Sequence, residues 1–163
     1  MKRFVATAFA LLVLIAPTVA AAQGAVFVVR HAERADASAD ALLSADGQIR
    51  ATRLGEILKD AGITQIYTTN LRRTAQTAAP LAAALELTAT EFPVGDLDAL
   101  FTRLHAATLH DRVLVVGHSN TVPEILRRLC VTAQVTIGDM EYDNLFVAIP
   151  REGSAPLFVR LRY

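Results

Sequence analysis

Two short stretches limit what this chain can fold into. AVFVV, residues 25–29, and VLVV, residues 113–116, are unbroken apolar runs rich in β-branched residues. A strand with one face in water alternates apolar with polar side chains. These runs do not alternate, so both faces must be covered, as in a parallel sheet held between helices. The intervening segments fit that plan. LSADGQIRATRLGEILKDAG (43–62) reads as a helix with Ser44 as N-cap, Leu54, Ile57 and Leu58 on one face and Gly62 as the stop. ITQIYTT (63–69) is a strand, and RRTAQTAAPLAAALEL (72–87) a helix in which Pro80 predicts a kink or a break. LTATEF (87–92) is a short strand and DLDALFTRLHAATL (96–109) a third helix. After the second apolar strand, TVPEILRRLC (121–130) is a helix with Pro123 in its first turn, where its missing N–H costs nothing. NLFVAI (144–149) and PLFVRLRY (156–163) close the chain as a hairpin around Glu152-Gly153. Strands alternating with helices predict an α/β fold, a three-layer sandwich with a mostly parallel central sheet.

The first residues do not belong to that pattern. Residues 1–22 carry Lys2 and Arg3, then an apolar run over 4–16, Pro17, and Ala20-Ala21-Ala22 ahead of Gln23. This is the layout of a secretory signal peptide with a small-residue cleavage site. An uncleaved anchor needs roughly 20 apolar residues, more than this run supplies. The expectation is a single domain over 23–163, secreted or periplasmic, with no stable membrane anchor after cleavage near Ala22. Without Lys2 and Arg3 the remaining chain has 14 basic against 16 acidic residues. With no basic patch in view, nucleic acid is not an expected partner. Cys130 is the only cysteine, which excludes an intrachain disulfide and a thiolate metal cage. Its neighbours Leu126, Leu129 and Val131 predict a buried thiol.

Both apolar strands end in the same way. VFVVRH delivers Arg30-His31, and VLVVGH delivers Gly117-His118. In open α/β sheets ligands bind outside the carboxyl ends of the strands. If the two strands are neighbours, two imidazoles face each other there. TTNLRRTAQTA follows the next strand and brings Arg72 and Arg73 to the same edge. Two histidines and at least two arginines beside helix N-termini suit a small, doubly charged anion.

With these segments in hand, the chain resembles the histidine phosphatase superfamily, the phosphoglycerate mutase-like fold, over nearly all of its length after the signal segment. RHAE matches the Arg-His signature, with Ala32 where many members have glycine. LSADG matches the Leu-Ser/Thr-x-x-Gly helix opening, TNLRRTAQTA the arginine-bearing segment, and VVGHS the second-histidine segment. The resemblance selects Arg73 rather than Arg72. It implies that His31 attacks phosphorus to form a phosphohistidine, and that Arg30, Arg73 and His118 bind and stabilise the phosphoryl oxygens. The second ring nitrogen of His31 then needs an acceptor, such as a backbone carbonyl in the following loop. No metal or cofactor is implied. The expected substrate is a phosphorylated small molecule or phosphoprotein. Glu91, Asp96 and Asp98 are candidates for a general acid, although Asp96 equally suits an N-cap. The insertions of the mutases and the extra helical domain of phytases are absent from this sequence. Arginine neighbours are expected to lower the His31 pKa.

Three rival readings bear on the same residues. GHSNT approximates a nucleophile elbow that would make Ser119 the nucleophile of an esterase. That arrangement needs a histidine after the serine, and His31, His105, His110 and His118 all precede it. His105 and His110, five apart, fall on different faces of a helix and do not form a metal pair. A phosphate-binding or protein-interaction module without turnover is the remaining alternative. EYDN (141–144) reads either as a stretch that touches substrate, as the resemblance implies from its place before a strand close to the pocket, or as a turn made by Asp143 and Asn144. Glu33, Arg34 and Asp36 read as either a pocket rim or a solvated loop.

Overall fold

The computed structural model describes residues 24–106 and 110–163; the signal segment expected at 1–22 lies outside them. Ten elements follow in order: β1 (Ala25–Arg30), α1 (Ala45–Leu58), β2 (Gln65–Thr69), α2 (Arg72–Ala84), β3 (Thr90–Phe92), α3 (Leu97–Ala106), β4 (Arg112–Gly117), α4 (Thr121–Arg128), β5 (Asn144–Arg151) and β6 (Ser154–Arg162). The six strands form one sheet in the order β3-β2-β4-β1-β5-β6. β3, β2, β4 and β1 are parallel, and β5 and β6 add an antiparallel edge. The two apolar runs are adjacent, paired from Ala25↔Arg112 to Arg30↔Gly117.

The residues alternate between two cores. Val29, Leu114 and Val116 meet Leu54 and Leu58 of α1 and Ala78 and Leu81 of α2. Val28, Val113 and Val115 meet Leu100 and Phe101 of α3 and Val122, Ile125 and Leu126 of α4. Successive side chains of one strand thus feed opposite layers, which is why neither run can include a polar residue. From β1 the chain passes by α1 toward β2 on one side; from β4 it passes by α4 toward β5 on the other. That reversal splays the helices apart at the β1/β4 junction and opens a crevice there.

Several local expectations change. α2 runs through Pro80 without a break. Gly55 of α1 lies against Pro80 and Leu81 so closely that a Cβ there would sit 3.3 Å from the Leu81 nitrogen. Interhelix packing therefore holds a helix that Pro80 alone weakens by about 3 kcal/mol. α1 stops at Leu58, before Gly62, and Ile57 is exposed while Leu54 and Leu58 are buried. Cys130 is exposed, not buried. It adopts a left-handed conformation with φ 64° directly after α4, where Cys130 N–H donates to the Arg127 carbonyl and Val131 N–H to that of Leu126. This is a Schellman stop: the chain reverses, Val131 turns inward and the residue at the reversal turns outward.

Candidate active site

The site is assembled where β1, β2 and β4 end. The β1/β4 ladder continues one step beyond the strands, with His31 N–H donating to the Gly117 carbonyl at 2.9 Å. At the end of β4, His118 N–H donates to Thr121 Oγ1 at 3.0 Å, and the His118 carbonyl accepts from Val122 N–H, opening α4. A Cβ at Gly117 would press on Thr121 Oγ1 at 3.0 Å, so glycine lets the helix start this close to the strand. The two imidazoles meet edge to face with ring centroids 5.3 Å apart and an interplanar angle of 62°. Both are buried, His31 4% and His118 6% exposed, so their charge states are set by the protein rather than by water.

Each ring is held by its neighbours. His31 Nδ1 lies 2.8 Å from the Ala32 carbonyl oxygen. A carbonyl only accepts, so neutral His31 carries its proton on Nδ1 and its lone pair on Nε2. Ala32 is fixed in turn by N–H donation to Thr77 Oγ1 of α2 at 3.0 Å. His118 Nε2 lies 3.1 Å from Thr69 Oγ1, which also contacts Thr74 Oγ1 at 3.0 Å. Burial lowers the His31 pKa to about 3, with His118, Arg73 and Arg30 adding to it and the Ala32 bond opposing. Burial first, then Arg73 and Arg30, lowers His118 to about 4. The direction expected from sequence holds, but desolvation is the larger cause.

Two guanidinium groups complete the pocket. Arg30 Nη1 donates to the carbonyls of Gly138 and Asp139, each at 2.9 Å, and of Glu141 at 3.2 Å. The Tyr142 ring covers its other side, 4.1 Å from the guanidinium carbon. Arg73 Nη1 donates to the Ala39 carbonyl at 2.8 Å. In both residues Nε is buried without a protein hydrogen-bond partner. One corner of each fork is anchored to backbone, and the Nε side stays available to an acceptor such as a phosphate oxygen. Arg72 is engaged elsewhere, with Nε 2.9 Å from Asp40 Oδ2 and Nη2 donating to the Asp40 carbonyl. The structure thus gives the two arginines different partners, Asp40 for Arg72 and the Ala39 carbonyl for Arg73.

Not every candidate joins them. Glu91 is exposed on β3, Asp96 Oδ1 caps α3 by accepting from Ala99 N–H, and Asp98 pairs with Arg128 at 2.8 Å. No hydrogen bond or ion pair links these three to His31, His118, Arg30 or Arg73 among the described residues. Glu33 is taken by Arg50 at 2.7 Å, and Asp36 Oδ1 accepts from Ser38 N–H in an exposed turn. His105 is exposed on α3, packed 6.0 Å from the Phe101 ring. Among the described residues no group of three or more His, Cys, Asp or Glu could hold a metal ion. Asn144 is not in a turn: it is buried as the first residue of β5, opposite Arg162. The residue ahead of the pair matters more. Tyr142, whose ring also lies 6.2 Å from that of His31, brings the EYDN stretch to the site, although the sequence singles out no residue within it. Thr69 and the carbonyls of 138–141 were missed as well. The polar end of an otherwise apolar strand, IYTT, is the only sequence trace of Thr69, and backbone carbonyls leave none.

Comparison with known proteins agrees with this geometry. The model of the histidine phosphatase superfamily (branch 1) matches residues 26–93, a span holding Arg30, His31 and Arg73. No curated protein sequence matches the chain. Among solved structures, the fold is similar to that of the protein histidine phosphatase SixA complexed with tungstate, at 22% identity and TM-score 0.67 over 85% of this chain and 96% of that one. It is similar to a mycobacterial glucosyl-3-phosphoglycerate phosphatase, at 14% identity and TM-score 0.65 over 85% and 97%. It is also similar to a phosphoserine phosphatase from Entamoeba histolytica in complex with 3-phosphoglyceric acid, at 14% identity and TM-score 0.63 over 86% and 97%.

Proposed function

We propose that the chain is a phosphatase of the histidine phosphatase superfamily, whose model matches residues 26–93, and that it works through a phosphohistidine on His31. The observation that carries the reading is the pinned tautomer of His31. Its proton is held by the Ala32 carbonyl, and its ring is buried beside His118 at the mouth of two anchored guanidinium groups. In the first step the Nε2 lone pair of His31 forms a bond to phosphorus as the bond to the leaving atom, oxygen in a phosphomonoester or nitrogen in a phosphoramidate, breaks. The leaving atom takes its proton from water. In the second step water attacks phosphorus, the N–P bond breaks, inorganic phosphate leaves and His31 returns neutral. Arg30 and Arg73 offer their Nε sides to the phosphoryl oxygens in both steps. His118, whose Nε2 contacts the Thr69 hydroxyl, lies beside the nucleophile as a neutral ring at the same phosphoryl position. The guanidinium groups supply the positive charge, so this scheme calls on no metal.

The substrate class we propose is a phosphomonoester or phosphoramidate on a small molecule or a protein. The named activities of the similar structures, on phosphohistidine, glucosyl-3-phosphoglycerate and phosphoserine, span both kinds. We also propose that residues 1–22 direct export and are removed. Among the described residues no helix is long and apolar enough to cross a membrane. The processed protein should begin at or near Gln23 by N-terminal sequencing, and an intact Met1 would sink that part.

The test of the chemistry is hydrolysis of p-nitrophenyl phosphate with excess chelator, by the parent and by His31→Ala. Expected is chelator-resistant turnover lost by at least a thousandfold in the variant, with a phosphorylated His31 trapped by acid-free quenching. A folded parent that binds phosphate but turns nothing over would instead support the binding-module alternative.

A further inference from the structure

Arg30 is held by a turn, and the turn is held by a carboxylate. Residues 138–141 close on themselves twice. The Glu141 N–H donates to the Gly138 carbonyl at 3.0 Å, and the Gly138 N–H donates back to Glu141 Oε2 at 2.9 Å. The other carboxylate oxygen, Oε1, faces Arg162 at 3.0 Å and Arg160 at 3.8 Å, both on β6. Three carbonyls of this segment then converge on one nitrogen of Arg30.

This geometry has a consequence. A guanidinium has a planar fork, so anchoring Nη1 sets the direction of the Nε side. Peptide carbonyls of an exposed four-residue turn have no sheet or helix to keep them converged, and Gly138, Asp139 and Met140 are all exposed. The second closure through the Glu141 carboxylate, itself tied to the edge strand, supplies that restraint. Charge-assisted bonds of this kind are about twice as strong as neutral ones.

We infer that Glu141 is a positioning residue: its carboxylate, braced by Arg162 and Arg160, holds the 138–141 turn so that Arg30 presents its Nε side to the substrate's phosphoryl group. The inference rests on the pocket binding phosphate and deepens that reading. The site then depends on β6 through Arg160 and Arg162, as well as on the strands that end in Arg30 and Gly117.

The experiment compares the parent with Glu141→Ala, Glu141→Gln and Arg162→Ala, each first shown by thermal melting to be folded. Two readouts are taken. One is the dissociation constant for inorganic phosphate; the other, which needs no ligand, is solvent exchange of the Arg30 Nε–H by NMR, assigned by its loss in Arg30→Lys. Expected in Glu141→Ala is roughly tenfold weaker phosphate binding and faster Nε–H exchange. Glutamine can still accept from the Gly138 N–H, so Glu141→Gln should recover most of both. Arg162→Ala should shift both in the same direction by a smaller factor. In an Arg30→Ala background, Glu141→Ala should add less than about twofold, because the two act as one unit. Parental binding and exchange in Glu141→Ala would overturn the inference, as would full additivity with Arg30→Ala. If the parent binds no phosphate, the phosphatase reading fails, and the exchange measurement alone decides the role of Glu141.

Discussion

At the level of single residues, burial decides the chemistry more than charge does. His31 and His118 are kept neutral chiefly because imidazolium is poorly solvated among these side chains, with the arginines as a second influence. A lowered pKa means that the nucleophilic, neutral form persists as acid is added. The expected kcat/KM profile therefore stays flat from neutral pH down to about 5, turning over only toward about 4 and about 3 while the protein remains folded. An acid limb centred near 6.5 would show that His31 is effectively solvated. The paired arginines offer a second check. Arg73→Ala should lower kcat/KM by about 10²–10³, as for loss of one transition-state donor. Arg72→Ala removes only an exposed ion pair with Asp40 and should stay within about threefold. Equal effects would contradict the separation of roles. Adjacent residues of one type looked alike in sequence; the family motif, not their chemistry, told them apart.

At the level of elements, caps and close approaches explain residues that periodicity does not. Gly47 stands in the first turn of α1, and its N–H is capped by Ser44 Oγ at 3.1 Å. A Cβ there would run into the Glu33 carbonyl oxygen, far inside van der Waals contact. Since backbone cannot swing aside as a side chain can, Gly47→Ala should destabilise the protein by about 1–3 kcal/mol in chemical melts. A neutral result would mean that the loop after His31 yields easily. Glu86 ends α2 with φ 54° in the left-handed region, with Leu87 N–H bonded to the Ala82 carbonyl. Glu86→Gly should relieve that strain and raise the melting midpoint by the equivalent of about 1 kcal/mol. The elements themselves were largely legible from sequence: both apolar strands, the Ser44 cap, Pro123 in a first turn and the hairpin with Gly153 all appear where the pattern put them. What was not legible depends on packing between elements. Pro80 survives inside a helix because Gly55 lies against it, and Cys130 faces outward because a Schellman reversal took a residue that is not glycine. Neither partner is close in sequence to the residue it governs, or else the cue residue is missing.

Across the whole molecule, the two buried histidines tie stability to pH. Below about 6.5 the unfolded chain protonates both, while the folded chain resists until about 4 and about 3, so the unfolded state binds more protons and stability falls with acid. Urea melts at pH 7 and pH 5 should differ by roughly 2 kcal/mol for each histidine, with the difference reduced in His31→Ala. A melt unchanged between the two pH values would contradict the burial. The same long-distance logic explains how the site could be read so far from sequence alone. Arg30, His31 and His118 sit at strand ends and announce themselves by breaking an apolar run. Tyr142 and the carbonyls around Arg30 come from a segment without regular structure, whose return to the pocket only the closed sheet specifies. That closure has a kinetic side. The pairing of Arg30 with Gly117 joins positions 87 apart, with three helices and two strands between them. Contacts so distant carry a loop-closure cost and form late in folding. The two imidazoles do not meet until that pairing is made. A slip of one residue between the strands would also turn the two ends out of step. Anion binding during refolding should therefore appear with the last structural phase rather than the first, making the pocket a sensor of whether the chain has finished folding.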